Sequence, residues 1–194
     1  MQIKSKKIII IIFLINLMLF NTNLHADEFD ISAKEIRIDN ENKTVVGTGS
    51  VLAKDSQGKH IYADKIVYEK SRQFLMAEGN VKIEDNEGNI LYSDKATYDK
   101  TNEIIVTYNN TKLLLKEGYQ LVSKNVSYNV IEKTLNSNEN STFTDLDGNL
   151  VETTLFQYDI KNNLFSSVGK IKIIDINKNK YFFKEIYIDT RKKE

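Results

Sequence analysis

Side chains that could carry out catalysis are scarce in this sequence of 194 residues. It has no cysteine, and of its two histidines only His60 lies beyond residue 26. A nucleophilic triad needs a base beside the nucleophile, and a zinc site needs several Cys, His or acidic ligands together. His60 stands next to a turn, where we expect a solvated loop residue. The sequence therefore predicts a protein that is not an enzyme and that has no metal and no cofactor.

Acidic side chains at one turn suggest calcium as an alternative. Asp145, Asp147 and Asn149 alternate, as the oxygen ligands of a calcium loop do. The bidentate acid that such a loop needs at its twelfth position is missing, because Phe156 stands there. An aspartate that opens a tight turn explains the same pattern without a metal, and we expect turn chemistry here.

A second acidic motif occurs twice, each time with a lysine beside the acid. Asp64-Lys65 recurs as Asp94-Lys95, thirty residues later. Two carboxylates could hydrolyse a sugar. The repetition and the adjacent lysines favour a solvated ladder of charges on the polar face of a sheet.

Small side chains form two columns at the same spacing. One column is Ala33, Ala63, Ser93, Ser123 and Thr153, and the other is Gly47, Ala77, Thr107, Ser137 and Ser167. Small residues let two sheets approach each other closely. They could equally leave an apolar groove between the sheets that accepts acyl chains.

The elements that position these residues follow a thirty-residue repeat. The residues that recur at this spacing include Gly49, Val51, Asp55, Gly58 and Tyr62, which return as Gly79, Val81, Asp85, Gly88 and Tyr92. A fixed period indicates one structural unit stacked on copies of itself, with a core that no unit closes alone. Six units fit between Ile31 and Ile188.

Each unit reads as two β-strands. In the first, apolar or small residues stand at positions one, three, six and eight, as in Ile61, Ala63, Ile66 and Tyr68. Alternation with a period of two indicates a half-buried strand, and the wider step after position three predicts a β-bulge there. The second strand is predicted to share one inward face among Leu75, Ala77, Gly79, Val81 and Ile83.

Two tight turns in each unit reverse the chain twice, which favours antiparallel hairpins over a parallel β-helix. We therefore predict an all-β fold of about a dozen strands, an elongated, twisted antiparallel β-jellyroll built from six units of thirty residues. The last unit is predicted to be incomplete, since Glu194 falls where a second strand would begin.

The first 26 residues read as an export signal. Lys4, Lys6 and Lys7 precede an apolar run, and Ala26 is a plausible cleavage residue. An uncleaved anchor is the alternative, although the run is short for a span of about 20 residues. Cleavage would leave residues 27–194 as one domain with 24 basic residues, three fewer than in the whole chain, against 27 acidic ones. This negative net charge argues against a nucleic-acid partner.

Residues 29–130 resemble a known family. The runs that carry the resemblance are SAKEI at 32–36, VGTGSV at 46–51, YADKIVY at 62–68 and AEGNV at 77–81. In their order and spacing they are similar to the OstA-like β-jellyroll domain of the lipopolysaccharide-transport system. Two branches of that family fit. One is the free periplasmic bridge protein of the LptA type. The other is the periplasmic N-terminal domain of the outer-membrane assembly protein of the LptD type.

The resemblance implies a non-enzymatic role in lipopolysaccharide transport and outer-membrane assembly. It implies a periplasmic location, with an association with the outer membrane in the second branch. The acyl chains of lipid A would lie between the sheets, against Ile61, Ala63, Ile66, Leu75, Ala77, Val81, Ile83, Leu91 and Ala96. Other jellyroll domains of the system would join end to end through terminal edge strands, which here carry Ile31, Ala33, Phe183, Ile186 and Ile188. The alternative function is an exported structural β-solenoid or adhesin-like scaffold without a lipid ligand.

Overall fold

The structure is a computed structural model that describes residues 29–191, so the predicted export signal lies outside the described residues. The strands in chain order are β1 (Asp30–Ser32), β2 (Glu35–Asp39), β3 (Thr44–Lys54), β4 (His60–Glu69), β5 (Phe74–Glu84), β6 (Ile90–Asp99), β7 (Ile104–Tyr108), β8 (Thr111–Leu114), β9 (Gln120–Ser123), β10 (Ser127–Asn129), β11 (Thr134–Ser137), β12 (Ser141–Thr144), β13 (Leu150–Thr153), β14 (Phe156–Asp159), β15 (Leu164–Ile174) and β16 (Lys180–Asp189). Among these described elements there is no helix that could cross a membrane.

The strands form one 16-stranded sheet that is folded over on itself. The long strands, such as β4 and β5, change register in the middle, and each contributes one half to each of two facing layers. Layer 1 carries the turn at 55–59 and its repeats, and layer 2 carries the turn at 40–43 and its repeats. We call the line of register changes the crease, and the opposite side, where turns of the two layers face each other, the mouth. All strand pairs are antiparallel, which confirms the predicted β-jellyroll.

The alternation along each strand builds the interior. Ile61, Ala63, Ile66 and Tyr68 of β4 are all buried. The residues between them are half-buried or exposed, as a strand with one covered face requires. The core formed in this way is continuous through both layers.

The bulge lies on the other strand of each pair from the one predicted. Gly79 and Asn80 of β5 stand together opposite Asp94 of β6, and the same arrangement recurs in β3 and β15. Gly79 has a φ of +77°, and a Cβ atom there would lie 2.4 Å from Oδ2 of Asp64. Glycine is favoured at position 79, because it adopts this φ without steric cost and a side chain there would meet Asp64. The prediction that Gly79 belongs to the inward face was therefore wrong.

Strands in the middle of the chain are interrupted at the crease. Between β6 and β15, eight short strands take the place of four long ones, and β6 pairs with β7 through one half and with β8 through the other. Together with the break between β1 and β2, these interruptions raise the number of strands to sixteen, above the predicted dozen.

Candidate functional site

All nine residues that were predicted to contact acyl chains lie in the interior. Each is at most 6% exposed, and all nine belong to one apolar core: Ile61, Ala63, Ile66, Leu75, Ala77, Val81, Ile83, Leu91 and Ala96. Side chains from the facing layers fill the space around most of them. Of the nine, only Ile83 and Leu91 border the interior cavity described next.

An interior cavity of about 220 Å³ lies at the mouth. Both layers supply its apolar wall, whose members include Ile83, Leu91, Leu113, Ile105, Tyr128 and Leu135. Its rim is polar and includes Glu87 and Lys133. The cavity is smaller than ordinary ligand pockets of about 300–1,000 Å³. Its mostly apolar wall suits part of a hydrocarbon chain.

Side chains on facing turns connect the two layers across the mouth. Glu87 in layer 1 forms an ion pair with Lys133 in layer 2. Thirty residues earlier in both turns, the amide of Gln57 donates a hydrogen bond of 3.4 Å to Glu103. The two contacts join the same pair of turn positions in successive units. Sequence reasoning missed them because the partners are 46 residues apart and meet only when the sheet folds over.

Packing closes the mouth on both sides of the Glu87–Lys133 pair. Towards the N-terminus, Phe29 lies edge to face against Tyr68 at 5.1 Å and Tyr98 at 5.8 Å between ring centroids. Towards the C-terminus, the hydroxyl of Tyr119 donates a 2.6 Å hydrogen bond to the carbonyl oxygen of Thr190. The ion pair is therefore flanked by two more firmly closed stretches.

Lys59 is a buried cation at the N-terminal stretch of the mouth. Its ammonium lies 3.1 Å from Oδ2 of Asp55 and 3.8 Å from Oε2 of Glu103. It also stands 5.4 Å from the ring centroid of Tyr98. A buried ammonium requires such partners to offset its lost hydration. These partners explain why Lys59 is buried, and they give it a structural role.

The columns of small residues lie along the crease and change their chemistry with the strands. The columns have glycine or alanine in the continuous strands β3, β4 and β5, and alanine also at the break between β1 and β2. From β6 to β15 they carry hydroxyls, both in the interrupted strands and in the two long strands that pair with them, β6 and β15. The Ser93 hydroxyl lies 3.0 Å from the carbonyl oxygen of Tyr108, and Thr107 Oγ1 accepts a 3.0 Å hydrogen bond from the amide of Val126. The columns do not line the cavity at the mouth. Ser123 and Thr153 border a larger and more open pocket of about 1020 Å³, which Phe183 also lines, so close packing holds for the alanine and glycine part of the columns only.

The acidic motifs take the structural roles that the sequence favours. Asp64 accepts a hydrogen bond of 2.8 Å from Asn80, and Asp94 accepts one of 2.7 Å from Asn110, so the repeated ladder is confirmed at the outer surface of the crease. Lys95 pairs with Glu78 at 3.0 Å.

The Asp145 turn and His60 also have structural positions. One carboxylate oxygen of Asp145 accepts the backbone amide of Asn149 at 2.8 Å, which is turn chemistry. Within residues 29–191 no group of three or more acidic or histidine side chains could hold a metal ion. The prediction of a solvated loop for His60 was wrong. His60 begins β4, is half-buried, and its ring lies 6.4 Å from that of Tyr62.

Tyr128, in the wall of the cavity, makes the stability of the folded protein depend on pH. Burial raises the pKa of Tyr128 to about 12, and the carboxylates of Asp85 and Glu87 add to the shift. The folded state favours the neutral phenol, so this stabilisation is complete below the ordinary pKa of about 10 and is lost as the pH rises towards 12. Between these pH values, we expect the free energy of unfolding to fall by on the order of 2 kcal/mol more in the wild type than in Tyr128→Phe.

Urea unfolding at a series of pH values measures this difference. Tyr92→Phe, which alters an exposed tyrosine on the outer face, is the matched control and should follow the wild-type profile. Identical profiles for Tyr128→Phe and the wild type would contradict the burial of the phenol.

The predicted edge strands lie at the two ends of the sheet. Within the described residues, β1 and β2 pair only with β3, and β16 pairs only with β15. Ile31 and Ala33 are half-buried, Ile186 is buried and Ile188 is half-buried. Phe183 occupies an inward position, yet it is 44% exposed, since no further strand covers it in the described part of the chain.

Comparison with known proteins identifies the class of fold. No family model and no curated protein sequence matches the chain. Among solved structures, the fold is similar to LptH, the LptA-homologous periplasmic component of the lipopolysaccharide transport device from Pseudomonas aeruginosa. The match covers 57% of this chain and 82% of that one, with a TM-score of 0.52 and 13% sequence identity. At this identity the similarity shows the fold alone, an LptA-like β-jellyroll.

A second match has no bearing on the fold. The G-box domain of the microcephaly protein CPAP aligns over 77% of this chain and 97% of its own length, at 10% identity. Its TM-score of 0.16 is too low to carry an argument.

Proposed function

We propose that this protein is a periplasmic component of lipopolysaccharide transport and outer-membrane assembly, and that it holds acyl chains of lipid A between its two layers. The observation that carries the proposal is the LptA-like β-jellyroll fold shared with LptH. The interior is consistent with it, because aliphatic side chains from both layers line the cavity at the mouth.

Burial of hydrocarbon would supply the binding energy. Each methylene moved from water into an apolar interior is favourable by about 0.8 kcal/mol, so a few buried methylenes bind without any polar contact. The sugars and phosphates of the lipid would stay outside, because the polar groups of the cavity stand at its rim. The filled core implies that the layers separate when a complete set of acyl chains enters.

We also propose that the terminal strands join other jellyroll domains end to end. Tyr181 and Phe183 of β16 are 46% and 44% exposed at inward positions. A partner strand that pairs with β16 would extend the sheet, cover both rings and satisfy the edge. Ile31 and Ala33 would meet a partner in the same way at the other end.

Photocrosslinking of lipid tests the proposed function. A photoreactive residue at Ile83 should label lipopolysaccharide, because this side chain borders the cavity. The same photoreactive residue placed at position 82, in place of Lys82, faces outward and should not label lipopolysaccharide. Equal labelling at the two positions, or none at either, would contradict lipid binding between the layers.

The alternative is a structural scaffold with a solid core, and one observation favours it. The nine interior residues are each at most 6% exposed without a lipid, as in a solid core. A scaffold predicts no lipid by mass spectrometry in protein purified from a lipopolysaccharide-containing periplasm, and no labelling at Ile83.

A further inference from the structure

We propose that an acyl chain enters the interior from the side, between the turns that carry Glu87 and Lys133, with the interrupted crease opposite them acting as the hinge. The inference rests on the proposed function and adds to it the place of entry and the elements that move. The ligand is an aliphatic chain with an anionic headgroup. No end of the sheet need be free for it to enter.

The mouth is weakest above the cavity. On one side of the cavity the aromatic rings of Phe29, Tyr68 and Tyr98 close it, and on the other the Tyr119–Thr190 hydrogen bond does. Between them, the Glu87–Lys133 ion pair spans the rim, with side chains 50% and 40% exposed. Exposed ion pairs contribute little to stability and are weakened further by salt. The two layers therefore separate most easily at this pair.

The crease can act as a hinge in the same part of the chain. Continuous strands such as β4 and β5 pass from one layer to the other, so opening the mouth there bends a paired ladder. Next to the cavity, β7 and β8 are instead separate strands joined by Asn109 and Asn110, both with positive φ. The following pairs of short strands, from β9 to β14, are interrupted in the same way.

Hydroxyl groups can keep the backbone polar groups at this hinge hydrogen-bonded while the hinge moves. Ser93 Oγ lies within 3.0 Å of the carbonyl oxygens of Tyr108 and Asn109 at the interruption. A hydroxyl rotates freely and can exchange acceptors. The backbone groups at the crease can therefore keep a partner when the angle between the layers changes.

The cavity lies directly behind the ion pair, since Glu87 and Lys133 are part of its lining. A chain that passes between them contacts Leu91 and Leu113 in layer 1 and Leu135 in layer 2. When Glu87 moves away, the ammonium of Lys133 faces the incoming headgroup, and a phosphate on that headgroup takes the place of the carboxylate.

A removable bridge across the mouth tests the route. The sequence has no cysteine, so the double variant Glu87→Cys, Lys133→Cys has two thiols and no others. A short bismaleimide with a reducible linker can join these two thiols. Uptake of cis-parinaric acid, a fatty acid that fluoresces in apolar surroundings, gives the rate of entry. We expect the bridge to slow uptake at least tenfold, and reduction of the bridge to restore it.

The matched control bridges two strands within one layer. Thr97→Cys with Val106→Cys joins cross-strand neighbours on the outer face of layer 2, and its bridge should leave uptake unchanged. Uptake that the mouth bridge does not slow would overturn side entry while leaving lipid carriage intact. Failure of the wild-type protein to take up the probe would overturn the proposed function, and this inference with it.

Removal of the ion pair gives a second, independent measurement. Glu87→Gln should raise the uptake rate by about two- to fivefold, since an exposed pair of this kind holds the layers together only weakly. It should also remove the acceleration by salt that we expect in the wild type. Glu78→Gln, which breaks the Lys95 pair on the outer face, should change neither. A Glu87→Gln variant with wild-type rate and salt dependence would show that the pair does not control entry.

Discussion

Replacement of Phe165 with alanine should lower the free energy of unfolding by about 4 kcal/mol. Phe165 of β15 is fully buried. Its ring stacks on Phe143 of layer 1 at 4.9 Å and on Phe156 of layer 2 at 5.7 Å between centroids, so one side chain joins both layers. Its removal leaves a cavity that the surrounding side chains fill only partly. A domain with an ordinary stability of about 5–15 kcal/mol would lose a large share of it.

Urea unfolding, with hydrogen exchange as a second readout, measures this loss. Strand pairing joins only neighbouring units of the sheet, so amide protection should fall in β11–β15 and persist in β3–β6. Phe182→Ala removes the same type of side chain from the outer face of β16, where it is 73% exposed, and should cost less than about 0.5 kcal/mol. Similar losses for the two variants would contradict the role of Phe165 in joining the layers.

The parts of the fold that depend on local periodicity could be predicted from the sequence. Ile61, Ala63 and Ile66 are buried as their spacing predicts, because a strand turns alternate side chains to opposite faces. The place of the bulge was assigned to the wrong strand. Ala77, Gly79 and Val81 are evenly spaced, as in a strand with a regular inward face. Only the pairing register between β5 and β6 shows that Gly79 does not belong to that face.

The features that depend on long-range folding could not be predicted. Serine and threonine in the small-residue columns read as small side chains, although they lie in the interrupted strands or in the long strands that pair with them. The signal was present in the change from Ala63 to Ser93 at the same position, since a buried hydroxyl needs a partner that alanine does not. The Glu87–Lys133 pair gave no local signal at all, because it depends on how far the sheet folds over.

The residues at the crease and at the mouth divide the molecule into two kinds of section. Sections with continuous strands have alanine at the crease, as at Ala63 and Ala77, and buried aromatic rings with the buried Lys59 at the mouth. The section with interrupted strands has hydroxyls at the crease and an exposed ion pair at the mouth. In the proposed carrier, the first kind of section keeps the fold together while the second opens.

Replacement of Thr107 with valine should lower the free energy of unfolding by about 2 kcal/mol. Thr107 is fully buried, and its Oγ1 accepts hydrogen bonds from the amide of Val126 at 3.0 Å and from the hydroxyl of Thr111 at 2.8 Å. Valine has nearly the same shape, so packing is preserved and the loss comes from the Val126 amide left without its acceptor, since the Thr111 hydroxyl also lies 3.3 Å from the carbonyl oxygen of Lys124. Thr107→Ser, which keeps the hydroxyl, should recover part of the stability.

Thr97→Val makes the same chemical change on the outer face of β6, where the side chain is half-buried, and should shift stability by less than about 0.5 kcal/mol. Exchange of the Val126 amide proton separates the polar effect from packing. That proton should exchange faster in Thr107→Val than in the wild type, and at the wild-type rate in Thr97→Val. If Thr107→Val lost no more stability than Thr97→Val, the hydroxyls would not be what joins the interrupted strands, and the crease would have to be held by packing alone.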